Sequence, residues 1–147
     1  MRSIRVARSY LRQAKARLDD AVDALRDGNH PYVVRLSQEC VELSLKAVLK
    51  AVGIEYPKVH DVSDIFPEIG DRFPDWFQTE VNFLRESSRL LFKKRAPSLY
   101  GDEGALLSPN EVMSEDDAED AANRADKTYR LCEKLIVELE TMAEKGP

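Results

Sequence analysis

The segment from Pro31 to Val52 constrains the fold most. Its polar residues Arg35, Gln38, Glu39, Glu42, Lys46 and Lys50 fall within an arc of about 120° on a helical wheel. The rest of the circumference carries Val33, Val34, Leu36, Cys40, Val41, Leu43, Leu45, Ala47 and Val48. A helix with so wide an apolar surface has to pack on several neighbours at once. The segment is therefore predicted to be the central helix of a bundle, ended by Gly53.

The flanking segments supply the neighbours. From Ser3 to Asp27 the residues Ile4, Ala7, Leu11, Ala14, Leu18, Ala21, Val22 and Leu25 recur every three or four positions, which predicts an amphipathic helix. Gly28-Asn29-His30-Pro31 stops it and opens the next. A loop over residues 54–61 precedes a short helix from Val62 to Phe73, interrupted near Pro67. A fourth helix is predicted from Asp75 to about Arg95. It has two apolar faces: Phe77, Val81, Leu84 and Leu91 for the core, and Trp76, Phe83 and Leu90 for a further partner. Residues 96–113 show no period and hold Pro97, Gly101, Gly104 and Pro109, so they read as one long loop. The last helix begins at Ser108 or at Ser114, both of which fit a capping box, and runs with Ala118, Ala122, Ala125, Tyr129, Cys132, Ile136 and Leu139 on one stripe. The expectation is an all-α, mostly antiparallel, up-and-down helical bundle of four long helices plus one short one.

The 147 residues are expected to form one domain, residues 1–147. Hydrophobic residues at 43% and charged residues at 33% describe a globular chain rather than a disordered one. No run approaches the ~18 apolar residues of a membrane span. The arginine-rich start is similar to a transit peptide, but the apolar period runs on to Leu25. It is read as structure in a cytoplasmic protein. Cys40 and Cys132 sit in apolar helical patterns and are read as buried thiols. His30, His60 and two scattered cysteines make no structural zinc site, so neither a metal nor a cofactor is expected.

Charge is distributed unevenly around a net −5. Residues 1–17 hold six basic side chains (Arg2, Arg5, Arg8, Arg12, Lys15, Arg17) and no acid, against the preference of a helix N-terminus. That strip faces either phosphate or the acidic segment 102–126. Arg85, Arg89 and Lys93 follow one another at four-residue spacing, which aligns them on one strip. Residues 85–95 carry a net +4. This strip is a candidate nucleotide- or RNA-binding site, with solvated surface charge as the alternative.

Ser37-Gln38-Glu39-Cys40-Val41-Glu42-Leu43-Ser44-Leu45-Lys46-Ala47 and the later His60-Asp61 form a pattern. It resembles the Gln-x-x-x-Glu-x-x-x-Lys-Ala signature and following His-Asp of HEPN domains. The resemblance extends to Arg95-Ala96-Pro97-Ser98-Leu99-Tyr100-Gly101-Asp102 and to Glu115-Asp116-Asp117-Ala118-Glu119, and covers roughly residues 5–140. It implies a helical bundle that dimerises, often beside a minimal nucleotidyltransferase. In some members it implies metal-independent endoribonuclease activity in a toxin–antitoxin pair.

The ribonuclease members carry Arg-x(4–6)-His. Here the matching residues are Arg95 and Tyr100, the candidate catalytic pair. Metal-free RNA cleavage needs a group to move the 2′-hydroxyl proton and a cation for the developing charge. Arg95 suits the second task. Tyrosine ordinarily titrates near ~10 against ~6.5 for histidine, so Tyr100 is a poor base. It is read instead as a stacking or modified residue or as an aromatic anchor for the loop. His60 is expected to cap the short helix or bond to backbone. The leading expectation is a homodimeric protein that binds nucleotide or RNA, works with a minimal nucleotidyltransferase and has a degenerate or weak nuclease centre. An endoribonuclease toxin and a purely structural dimerisation module are the alternatives.

Overall fold

The structure is a computed structural model and describes residues 2–146. About 80% of it is helical. The elements are α1 (Arg2–Arg26), α2 (His30–Ala51), a 3-10 helix (Ser63–Arg72), α3 (Asp75–Gln78), α4 (Val81–Tyr100), α5 (Pro109–Val112) and α6 (Glu115–Lys145). The four long helices form the expected up-and-down bundle, and α2 lies at its centre, against α1, α4 and α6. Thirteen of its 22 residues are buried, among them Val41, Leu45, Val48 and Leu49. Truncating one such leucine to alanine costs about 2–5 kcal/mol in a close-packed core.

Small residues let the helices approach. Ala7, Ala14 and Ala21 on α1, and Ala118, Ala121 and Ala125 on α6, are all buried. Ala21 and Ala24 meet Val33 and Leu36 of α2 and Ala118 and Ala122 of α6 in one cluster. The end of α1 thus lies beside the starts of α2 and α6. Lys94, near the end of α4, pairs with Asp117 at the start of α6, so α4 runs antiparallel to α6. At the opposite end, Phe66, Phe73 and Phe77 stack within 4.8–6.3 Å of one another and close the core below the 3-10 helix. Cys40 and Cys132 are buried free thiols. Burial pushes the Cys40 thiol up to about 12, as expected of packing residues.

Three features depart from the expectation. The short helix is 3-10 in character and breaks at Ile69, not at Pro67. The predicted fourth helix is two helices, separated at Thr79–Glu80, and α4 runs past Pro97 to Tyr100. Pro97 sits in the last turn, where the lost N–H removes a single backbone bond. The long loop is correspondingly reduced to a tight connection over 101–108 and the one-turn α5. Both serine candidates start a helix: Ser108 precedes α5, and Ser114 forms a reciprocal capping box with Asp117 at α6.

The second apolar face is also not free. Lys127 of α6 lies 4.1 Å over the Phe83 ring and Lys134 4.2 Å over the Trp76 ring. Trp76 Nε1 donates to Glu138. Leu90 of that face borders an open groove. The basic strip of α1 does not face segment 102–126 either. Arg8 pairs with Glu140, Lys15 with Asp19 and Arg17 with Glu39.

Gly101 ends α4 at φ +68, ψ −144, a region that side chains scarcely enter. Asp102 and Leu107 then exchange two backbone hydrogen bonds of 2.9 Å, which folds the loop back across Gly101. A Cβ there would stand 2.1 Å from the Leu107 carbonyl oxygen. Gly101→Ala is therefore expected to cost at least about 1–3 kcal/mol. Gly28→Ala has similar φ but nothing within 4 Å, and is the milder control. Thermal unfolding should show the larger fall in Tm for Gly101→Ala; equal falls would mean that the loop yields.

Candidate functional site

The polar arc of α2 does not simply face solvent. Gln38 is only 3% exposed, and it links two neighbouring elements. Its Oε1 accepts a hydrogen bond of 2.6 Å from Arg95 Nη1 of α4. Its Nε2 donates to Glu42 Oε1 at 3.0 Å. The same Glu42 oxygen lies 2.8 Å from His60 Nδ1, and Glu42 Oε2 accepts from Lys46 at 2.8 Å. Burial pushes the Glu42 carboxyl up, but the hydrogen bonds from Lys46, Gln38 and His60 outweigh it and hold the group below its ordinary range. Glu42 is thus an anion at neutral pH, and an anion only accepts. His60 Nδ1 therefore carries the proton of this bond.

Glu39, one turn earlier, accepts from three guanidiniums: Arg17 of α1 at 3.3 Å, Arg35 at 3.4 Å and Arg95 at 3.4 Å. The cleft lined by Arg17, Glu39, Glu42, Leu43, His60 and Arg95 holds about 230 Å³. Two arginines and two glutamates line it, each engaged in an ion pair, with the His60 ring at the rim.

Arg95 therefore lies in a cleft, but Tyr100 does not join it. Both belong to α4, and five residues along a helix turn the side chains about 140° apart. Arg95 points onto Gln38, whereas Tyr100 is 63% exposed at the helix end. Within one chain the structure does not bring the two together. His60 is found elsewhere than expected. Asp61, not His60, ties the start of the short helix to α4: its Oδ1 accepts from Ser63 N at 3.0 Å, from Ser63 Oγ at 2.6 Å and from Ser88 Oγ of α4 at 2.6 Å. The Asp61 anchor fixes His60 over Glu42.

Arg85, Arg89 and Lys93 do share one groove of about 400 Å³, with Asn82, Glu86, Leu90 and Lys94. Arg85 and Arg89 both reach Asp64 Oδ1, at 2.9 and 3.3 Å. Asp64 is exposed, and the hydrogen bond from Arg85 lowers its pKa. Sequence reasoning placed Arg35, Gln38, Glu39, Glu42 and Lys46 on one polar arc, with Gln38, Glu42 and Lys46 in the signature that resembles HEPN domains, but gave Arg17, Arg35 and Glu39 no part in a site. Their signal was the fourfold spacing of Arg35 and Glu39; the Arg17 contact crosses between helices and leaves no local mark. No cluster of three or more His, Cys, Asp or Glu side chains among the described residues is placed to hold a metal, and no described helix is long and apolar enough to cross a membrane.

The same order of elements is found in known proteins. The crystal structure of ST0689, described as an archaeal HEPN homologue, superposes with a TM-score of 0.66 at 25% identity, over 88% of this chain and 97% of that one. TT1696 from Thermus thermophilus shares the fold, with a TM-score of 0.68 at 22% identity over 87% of this chain and 96% of the other. A relative from Methanocaldococcus jannaschii, named "Putative toxin MJ1304", is 27% identical over 142 residues, which is 92% of this chain and 91% of that protein. The HEPN domain pattern matches residues 7–135, from the first turns of α1 to the buried Leu135 of α6, and the chain belongs to the HEPN domain family.

Proposed function

We propose that the protein binds single-stranded RNA or a nucleotide as a homodimer and works with a minimal nucleotidyltransferase, with little or no cleavage by the Arg95–Tyr100 pair. The observation that carries the binding is the α4 groove. Arg85, Arg89, Lys93 and Lys94 line one surface, and Glu86 is its only lining acid. Such a surface suits a phosphodiester backbone, which is recognised chiefly through charge. The nucleotidyltransferase partner rests on the family resemblance. The homodimer draws support from the end of α4, where Tyr100, Leu106 and Leu107 are exposed. Leu106 is 89% exposed and has φ +57, a costly backbone state for a leucine. A symmetric pair joined there would bring both copies of Arg95 and Tyr100 towards one cleft. The second reading, an endoribonuclease toxin, is favoured by the name of the Methanocaldococcus relative.

Fluorescence anisotropy with a short labelled RNA tests the binding. Three phosphate contacts give a slope of log affinity against log salt of roughly −2 for a single strand. Arg89→Glu should weaken binding about tenfold or more and flatten that slope. Asp64→Asn should tighten binding a few-fold, because it releases Arg85 and Arg89 from a competing carboxylate worth about 0.2–1 kcal/mol per pair. Indifference of affinity to both variants would leave the structural module. Light scattering tests the assembly: a dimer is expected at micromolar concentration, and Leu106→Glu should shift it towards monomer. A wild-type monomer under those conditions would remove the dimer.

A further inference from the structure

We propose that the groove between α1, α2 and the loop over residues 54–61 is a second subsite for RNA, entered by a single strand that leaves the α4 groove across Phe92. This inference rests on the RNA-binding reading above and extends it to a surface outside the α4 strip.

The groove holds about 560 Å³, with Tyr10 of α1, Lys46 and Lys50 of α2, and Tyr56, Lys58 and His60 of the loop in its walls. Glu42 is the only acid that lines it, and that charge is already met by Lys46, Gln38 and His60. Lys50 and Lys58 have no carboxylate partner among the described residues. Positive charge is therefore in excess here, in a chain whose net charge is −5. The lysines are also combined with an aromatic face. Lys46 and Lys50, one helical turn apart, lie 5.7 and 5.2 Å from the centre of the Tyr56 ring, within the range of cation–π attraction. Burial and the Tyr10 hydroxyl beside it push the Tyr56 pKa up, so the ring adds no negative charge that would repel phosphate. Flexible cations interleaved with aromatic rings suit a single strand, whose bases stack on the rings while its phosphates meet the ammonium groups. A duplex hides its base faces and can use only the charge.

Contacts along α4 place this groove next to the α4 groove. Segment 60–64 lies beside that helix. Asp64 accepts from Arg85 and Arg89 at 2.9 and 3.3 Å, Asp61 accepts from Ser88 Oγ at 2.6 Å, and the His60 ring centroid is 6.1 Å from that of Phe92. Arg85, Arg89 and Phe92 follow one another on successive turns of one face. Phe92 is 44% exposed and Val59, next to His60 in the loop, 45%. The fold covers neither. A strand held by Arg85 and Arg89 thus meets an exposed aromatic ridge, and His60, on its far side, is itself part of the wall of the second groove. The path accounts for apolar surface that packing leaves bare, and it requires a strand long enough to occupy both grooves.

The test measures the anisotropy of labelled RNA with the full chain. It compares single strands of about three and about twelve nucleotides and a duplex of the longer length. The longer single strand should bind at least about tenfold tighter than the trimer and than the duplex. Lys50 and Lys58 add two phosphate contacts to the three of α4, so its slope of log affinity against log salt should steepen from about −2 to about −3.5. Lys50→Glu combined with Lys58→Glu should cost the long strand about tenfold or more, return the slope to about −2 and leave the trimer within about twofold. Tyr56→Leu keeps an apolar side chain against the core and should cost the long strand about tenfold with little change of slope, since a stacked base is lost and no phosphate contact. Circular dichroism establishes that each variant is folded, and Lys50→Gln with Lys58→Gln serves if the glutamate pair is not. A long strand that binds no tighter than the trimer, or that is indifferent to these variants, overturns this inference and leaves the α4 reading standing. A duplex bound as tightly as the single strand overturns it as well, because the rings are then unused. Failure of both strand lengths to bind overturns the RNA-binding reading with it.

Discussion

A single half-buried carboxylate organises the functional face of this protein. Glu42 holds negative charge where part of its hydration is lost, a state that is costly unless the ion is paired and hydrogen-bonded. Lys46, Gln38 and His60 meet that requirement from three directions. Each partner is fixed in turn by the arrangement. Gln38, with its amide committed to Glu42, can only turn its carbonyl to Arg95. His60, with Nδ1 committed, can only turn Nε2 outwards. Removal of the Glu42 charge would therefore free the His60 ring and the Gln38 amide, while Glu39 still holds the Arg95 guanidinium.

The site also explains how an acidic chain presents a basic surface. Net charge decides solubility and the sign of the distant field; local placement decides what docks. The acids of segment 102–126 are used where they stabilise helices. Asp117 accepts from the Ser114 backbone N–H in the capping box, and its pKa is lowered first by that bond and then by the one from Lys94. Asp120 and Asp126 pair four residues on with Arg124 and Arg130. These carboxylates are consumed locally on α6. On the cleft side, Glu39 is shared by three arginines, which leaves positive charge in excess at the place where α1, α2 and α4 converge.

Much of the fold was legible because it follows from the helical period. The apolar arc of α2, the alanine-leucine stripe of α1 and the long stripe of α6 each announce a buried face, and a face needs only local sequence to be seen. The errors fall where the decisive contact is distant. Residues 96–100 read as loop because they contain Pro97; the helix survives since the proline lies in the final turn and Gly101 supplies the backbone geometry that ends it. Trp76, Phe83 and Leu90 read as an unpartnered face because nothing near them shows that the lysines of α6 lie across the rings. His60 read as a cap because it adjoins the short helix. Its partner is 18 residues upstream on a helix face that was itself recognised, so the two halves of the pair were visible and only their contact was not.

The same geometry bears on the Arg95–Tyr100 motif itself. On any continuous helix, positions five residues apart diverge by about 140°, whatever side chain occupies the second. A histidine at position 100 would leave Arg95 as surely as Tyr100 does, so in this architecture the two motif positions can meet only between two copies of the chain. Glu42 and His60 face no such restriction. They come from different elements, are joined by a direct hydrogen bond, and connect to Arg95 through Gln38 within one chain. A cleft assembled this way has its whole hydrogen-bonded chain within one copy.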